Sequence, residues 1–164
     1  MHGADAPAWA HWLEASGLGN WARQSSWGYA VANLAHLLGV AMLFGSVLGF
    51  DLRMLGIARA IHAADLARFL LPIARGGFVL AVGSGLVLLS ADASHVVVNP
   101  AFQVKMGLIA LALLNVLVFH RFVALANDAE TGSKAHAGLA RVSAALSLLL
   151  WPGVIVCGRL IAYL

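Results

Sequence analysis

The residues of this chain best suited to chemistry lie in strongly apolar surroundings. The stretch 27–50 contains no Asp, Glu, Lys or Arg, and its only histidine is His36. Asn33 precedes His36 by one helical turn. A polar side chain inside a membrane span is costly to bury, so it faces protein or water rather than lipid. We therefore expect His36 and Asn33 to turn into the molecule together.

Further candidates follow when each side chain is placed by its depth in a membrane. Near the level of His36 we expect Lys105 and Met106 of a third span and Arg159 of a fourth. Histidine with methionine, lysine or a second histidine can bind a haem b or a copper ion, and arginine can pair with a haem propionate. Three alternatives stay open: a haem site, a copper site, or a His36 that only hydrogen-bonds to Asn33 or a carbonyl.

His120 is the other candidate metal ligand within a span, and it lies at a different depth. His36 is about nine residues from the outer end of its span and His120 about eighteen, a difference of roughly 14 Å. Two axial ligands of one iron need nearly the same depth, so these histidines cannot share a haem. His120 belongs to an inner level where we expect a solvated ion-pair network. The other residues of this level are Asp51, Arg53, Arg75 and Arg121, with His62 and His136 in nearby loops. A second site or an anionic-lipid contact is the alternative there.

Four apolar stretches must position these residues. The sequence is 62% hydrophobic and 10% charged, whereas soluble domains carry about 25% charged residues. The stretches cover about 27–50, 68–91, 101–126 and 139–163, each long enough to cross a hydrocarbon core of roughly 30 Å. These features predict an all-α integral membrane four-helix bundle, residues 27–164, in a lipid bilayer. The second and fourth stretches lack histidine, so the pattern of a four-helix dihaem cytochrome is absent.

The segment 1–26 has a different character, with tryptophans among scattered charges. Trp9, Trp12 and Trp21 suit the headgroup layer, where the ring is apolar and its N–H stays wet. We predict a short interfacial helix over about 7–16 that breaks at residues 17–19, and no cleavable signal peptide.

Small residues recur at four-residue spacing in the first two spans. They are Ala41, Gly45 and Gly49 in the first span and Gly77, Ala81 and Gly85 in the second. Such stripes let helices approach closely, so we expect them to form contacts inside the monomer. The Pro152 ring removes a backbone donor from the fourth span, which predicts a kink there.

The basic residues predict the orientation. Of the ten Lys and Arg residues, seven flank the first and third connections, which places these connections in the cytoplasm and both termini outside. In a Gram-negative cell, outside means the periplasm. This bias also accounts for the net charge of +3 without a nucleic-acid partner. Cys157 is the only cysteine, which excludes an internal disulfide and a cysteine-rich metal site.

Three segments covering about two-thirds of the chain carry a resemblance to known families. They are HLLGVAMLFGSVLGFDLRMLG, ARGGFVLAVGSGLVLL and NPAFQVKMGLIALALLNVLVFHR. The chain resembles the small four-span bacterial proteins related to copper resistance protein D (CopD-like), which have a histidine early in one span, a glycine-rich span and a lysine opening the next. It also resembles the HemJ-type protoporphyrinogen oxidases, haem-binding membrane proteins with a similar histidine and lysine. His36 and Lys105 match these positions.

These observations lead to one principal hypothesis and two alternatives. We expect an inner-membrane protein with a single haem b at the outer level and a redox or electron-transfer role. His36 is the first ligand, Lys105 or Met106 the second, and Arg159 the propionate partner. The alternatives are a copper-handling membrane protein of the CopD type and a cofactor-free subunit that packs against other membrane subunits or a second copy of itself. Whether the protein is an enzyme stays open.

Overall fold

The protein is all-α, as the sequence predicts. The structure, a computed structural model, describes residues 6–128 and 134–163, and it describes no side chain between positions 122 and 137. Within these ranges the helices are α1 (Ala8–Ala15), α2 (Gly17–Gln24), α3 (Gly28–Met54), α4 (Ala63–Ala91), α5 (Ala93–Val96), α6 (Pro100–Asp128) and α7 (Lys134–Leu160). Helices α3, α4, α6 and α7 are long and apolar enough to cross a membrane. The protein is therefore an integral membrane four-helix bundle.

The first two spans, α3 and α4, pack with their backbones almost touching. A methyl group added to Gly39 would lie 2.6 Å from the backbone nitrogen of Ala81, and one added to Gly77 would lie 2.6 Å from that of Leu43. Only glycine at both positions permits this approach. The predicted small-residue face of α4 is therefore confirmed at Gly77 and Ala81.

The predicted face of α3 is wrong at Ala41 and Gly45, whereas Gly49 does meet α4, since a methyl group added to it would lie 3.2 Å from the Leu70 Cδ1 atom. Ala41 is exposed, and a methyl group added to Gly45 would meet nothing within 4 Å. The side of α3 that packs on α4 instead carries Ala32, Gly39 and Leu43, which are all buried. The predicted and the observed stripes both have helical spacing. Helix α4 packs on the observed one, which also carries buried apolar side chains.

The last two spans, α6 and α7, form a second closely packed pair, and α7 also packs against α3. A core cluster joins all four spans through Leu43, Ala74, Ala112, Leu150 and Trp151. Helix α7 is continuous through Pro152, so the proline does not interrupt it, and a bend of its axis stays a prediction.

Two short helices, α1 and α2, precede the first span. The expected helix over about 7–16 is confirmed as α1, and the chain does break after it, at Ser16 rather than at residues 17–19. Helix α2 begins at Gly17 because the Ser16 hydroxyl accepts a hydrogen bond from the Gly19 backbone N–H at 3.2 Å. Serine is a favoured N-cap, since its oxygen satisfies a donor that the first turn leaves unpaired.

The N-terminal helices dock onto the end of α4 and onto α5. Ala10 of α1 is buried in a cluster with Ala93 and Val97. Arg23 of α2 donates to the Ala91 carbonyl at 3.2 Å, and Glu14 accepts from the Ser94 backbone N–H at 3.1 Å. This small polar cluster ties the N-terminal segment to the bundle.

Three parts of the chain meet at one end of the bundle. The docked α1 and α2 lie beside α5, and the Asn99 amide donates to the Ile161 carbonyl near the end of α7 at 3.5 Å. We call this the outer end, after the predicted orientation. The opposite, inner end carries the connection 55–62, where Gly56 and Ala58 have φ values of 102° and 54°, backbone conformations that suit a tight turn.

Candidate functional site

His36 projects from α3 onto α4. Its Nδ1 atom lies 2.8 Å from the Ala81 carbonyl oxygen and 3.4 Å from the Ser84 hydroxyl. A carbonyl oxygen can only accept, so Nδ1 carries the hydrogen, and in the neutral ring Nε2 is then left as an acceptor with a lone pair. The geometry therefore fixes the ring and presents Nε2 to a further group.

Gly85 makes room for the imidazole. A methyl group added to this glycine would lie 3.1 Å from the His36 Cε1 atom, closer than ordinary van der Waals contact. Gly85 continues the predicted small-residue face of α4, but its neighbour is a ring rather than a backbone. The sequence predicts the small-residue face of α4, and the structure shows that Gly85, its last residue, accommodates the His36 ring.

Lys105 projects from α6 toward α7. Its side chain is partly buried and lies over Gly158 of α7, where an added methyl group would be 3.4 Å from Nζ. His36 is likewise partly buried. The pairing of His36 with Lys105 stays a prediction.

The three other predicted residues of the outer level are exposed. Met106 is 48% exposed, and Arg159 is an exposed residue whose guanidinium donates to the Tyr163 hydroxyl at 3.1 Å and stacks 5.3 Å from its ring centre. Asn33 is exposed, so the expectation that it turns inward with His36 is wrong.

The geometry of α3 explains the position of Asn33. Ala32 and His36 are four residues apart and share the side that faces α4, whereas Asn33 follows Ala32 by a rotation of about 100°. The two polar residues therefore diverge at the edge of the interface. Which of the two faces α4 depends on where α4 packs, and the spacing of residues within α3 does not reveal this.

His120 lies at the inner end, well apart from His36 in sequence and surroundings. Its Nδ1 atom donates to the Val116 carbonyl at 2.8 Å, within its own helix. Among the side chains that the structure describes, no group of three or more His, Cys, Asp or Glu residues could hold a metal ion. His120 therefore has no set of protein ligands around it in the described part of the chain, and His136 lies outside the described side chains.

The expected ion-pair network at the inner end is wrong for Asp51. This carboxyl group is buried, with the residue 7% exposed, and it forms no ion pair with a described side chain. Arg53 instead donates to the Ile61 carbonyl. Helix α3 continues to Met54, so Asp51 lies one turn beyond Val47 on a side that faces the other spans.

Comparison with known proteins finds no relative: no family model matches the chain, and no curated protein or solved structure is significantly similar to it. The function must therefore be inferred from the geometry of the chain itself. That geometry is a membrane-embedded bundle in which a carbonyl of α4 orients His36 and a partly buried Lys105 lies on α6.

Proposed function

We propose that this membrane protein binds a single haem b at the outer level and uses it in redox or electron transfer, with His36 as the axial ligand through Nε2. The observation that carries the proposal is the 2.8 Å contact between His36 Nδ1 and the Ala81 carbonyl. Histidines that ligate metals usually donate their other ring N–H to a carbonyl or carboxylate, which fixes the ring and raises its basicity. His36 already has this arrangement.

Lys105 supports the proposal as the second ligand. It comes from another span at a depth predicted to be near that of His36, and its partly buried side chain extends along Gly158 of α7, with the ammonium end closest to this glycine. Met106 next to it and Arg159 near the outer end are the further candidates for an axial ligand and a propionate partner. Arg159 would exchange its hydrogen bond with Tyr163 for a charge-assisted one.

The packing of the spans also fits a flat ring. The close pairs are α3 with α4 and α6 with α7, whereas α4 and α6 have no extended contact among the described residues. The seam between them is the side on which a tetrapyrrole would meet the fewest close backbone contacts. A bound haem b would supply one-electron transfer, and His36 and Lys105 would hold it.

The resemblance to CopD-like and HemJ-type proteins points to the same pair of residues and suggests a bacterial inner membrane. The distribution of Lys and Arg places both termini in the periplasm. A copper-handling protein of the CopD type is the second candidate, because His36 with Met106 is a possible copper pair. A cofactor-free subunit is the third, since Gly45 and Gly107 leave open space on the surface of the bundle where a partner helix could pack.

The absorption spectrum of the purified full-length protein separates these candidates. Expressed with a haem precursor and extracted in mild detergent, the wild type should show a Soret band, and His36→Ala should lose it. Lys105→Ala should shift the band or weaken haem retention. Asn33→Ala is the matched control, because Asn33 lies one turn away and is exposed; it should keep the band.

Other outcomes identify the alternatives. Bound copper without a Soret band would favour the copper-handling protein. The absence of both would favour the cofactor-free subunit. A Soret band that survives in His36→Ala would show that the haem is held elsewhere and would refute this site.

A further inference from the structure

The inner half of the bundle contains a cavity of about 70 Å³ that is bounded by all four spans. Most of its walls are apolar, including Val47, Phe50, Leu71 and Phe119. Asp51 of α3 also lines this cavity. Asp51 follows His36 by fifteen residues on the same helix, roughly 22 Å along its axis. The cavity is thus distinct from the proposed haem site, and its chemistry is independent of haem binding.

Most of the polar groups in this cavity satisfy one another. The Asn115 amide donates to the Ser143 carbonyl at 3.0 Å, and its oxygen accepts from the Ser143 hydroxyl at 2.9 Å. His120 is bonded to the Val116 carbonyl. These groups need no ligand.

Asp51 is the exception. Its residue is 7% exposed, and its Oδ2 atom is buried without a hydrogen-bond partner in the described part of the chain. Ser147 of α7 lines the same cavity. The nearest arginine in sequence, Arg53, is turned away to the Ile61 carbonyl. No described cation therefore neutralises this carboxyl.

The chemistry of the cavity decides what Asp51 binds. An ionised carboxylate without a partner is very costly in apolar surroundings. A metal ion such as Ca²⁺ needs about six to eight oxygen ligands, but the Asn115 and Ser143 side chains already bond to each other, and few other oxygens line the walls. A proton needs no further ligand, and the protonated acid gains an O–H that can bond to a hydroxyl or a water.

We propose that this inner cavity is a proton-binding site and that Asp51 is the residue that holds the proton. The other ionisable side chain on its described walls is His120 of α6; α4 contributes Leu71 and Ala74, and the α7 lining has no ionisable residue. Because His120 is also exposed at the surface, this part of the wall borders the inner face. The site can therefore exchange its proton on the side opposite to the His36 level.

Infrared spectroscopy of the full-length protein in lipid nanodiscs tests the proposal. A protonated carboxylic acid has a carbonyl-stretch band above the amide I band that shifts in heavy water. The wild type should show such a band at about pH 5 and lose intensity toward about pH 8, a range in which unpaired surface carboxylates are already ionised. Asp51→Asn, which keeps the size of the side chain, should remove the band. Asp65→Asn is the control, since Asp65 is exposed and paired with Arg68, and it should leave the band unchanged.

Two results would overturn the proposal. One is a wild-type protein without the Asp51 carbonyl band at about pH 5, because Asp51 would then be ionised inside the bundle. The other is loss of the band at constant pH when choline chloride is replaced by sodium chloride, because a metal cation would then occupy the site. Isotope-labelled aspartate assigns the band in the wild type, so the test does not depend on the folding of the Asp51→Asn variant.

Discussion

Among the described side chains, two buried polar atoms have no hydrogen-bond partner. They are Oδ2 of Asp51 and Nε1 of Trp151. They raise different questions, because Asp51 lines a cavity and Trp151 belongs to the packed core. An unpaired indole N–H in a core costs about 1–3 kcal/mol. The indole of Trp151 must then contribute mainly by filling space between the spans.

Two substitutions separate the contributions of the Trp151 ring and its N–H. Trp151→Phe removes the unpaired donor but keeps a large ring, so we expect the free energy of unfolding to change by less than about 1 kcal/mol. Trp151→Ala leaves a hole where four spans meet and should lower it by about 3–5 kcal/mol. Unfolding titrations in mixed detergent micelles measure both changes. Trp27→Ala is the control, since Trp27 is 77% exposed. Equal losses for Phe and Ala at position 151 would show that the N–H has a partner after all.

At the scale of single elements, the contact between α3 and α4 depends on two glycines. Gly39 and Gly77 face each other across a gap that a methyl group would overfill, and this contact also sets where His36 meets Ala81. The helix pair therefore positions the candidate haem ligand. A change at Gly39 or Gly77 should affect both stability and the site.

We expect Gly39→Ala and Gly77→Ala each to destabilise the protein by about 1–3 kcal/mol or more, because backbone atoms rather than flexible side-chain ends must move. Gly45→Ala on the same helix should be neutral or slightly stabilising, because nothing lies within 4 Å and alanine is the better helix former. Thermal unfolding of the three variants in one detergent makes the comparison. A Gly45→Ala variant as unstable as Gly39→Ala would contradict the packing described for α3.

The N-terminal helices offer a second test at this scale. Hydrogen bonds from the hydroxyl and backbone N–H of Ser94 lower the pKa of Glu14 below its ordinary value of 4.5, and the Arg23 charge acts in the same direction. A carboxyl group with a lowered pKa in the folded state stabilises that state above its ordinary pKa. The contribution is lost as the pH falls through the lowered value. Docking of α1 and α2 should therefore weaken in acid.

Hydrogen–deuterium exchange, corrected for the intrinsic rate at each pH, measures this docking. We expect protection in α1 and α2 to fall as the pH drops below 4.5 and the spans to keep theirs. Glu14→Ala should show the weakened docking already at neutral pH. Asp65→Asn provides the control, because its exposed ion pair with Arg68 lies in α4. Acid-independent protection of α1 and α2 would refute a role for the Glu14 carboxylate.

For the whole molecule, the sequence predicts the number and approximate extent of the spans because each is set by one strong signal, a long apolar run. Predicted and observed bounds agree closely at Ala91 and Pro100, and less well at Ala63, where α4 begins five residues before the expected start at 68. Polar residues such as Asp65 and Arg68 conceal that first turn in a hydropathy profile.

The candidate site was only partly predictable for a physical reason. The expected pairing of His36 with Lys105 rests on depth, which can be counted along a helix, and it stays a prediction. Which way Asn33 and Asp51 face depends on where the neighbouring spans pack. A residue such as Asp51, at the end of a span among arginines, has the same sequence pattern whether it is solvated or buried.

The orientation of the whole bundle provides the last prediction. An exposed histidine lies near each end of α4. His62 lies in the connection 55–62 before α4, and His95 lies in α5 after it. Because the excess of Lys and Arg lies with the first of these ends, we expect it in the cytoplasm. In a Cys157→Ser background, His95→Cys should react with a membrane-impermeant thiol reagent in spheroplasts, and His62→Cys should react only after the membrane is permeabilised. The two variants make the same substitution at exposed sites, so they differ in sidedness rather than in accessibility to water. The reverse pattern would invert the bundle and move the His36 level to the cytoplasmic side, and the Asp51 cavity would then open toward the periplasm.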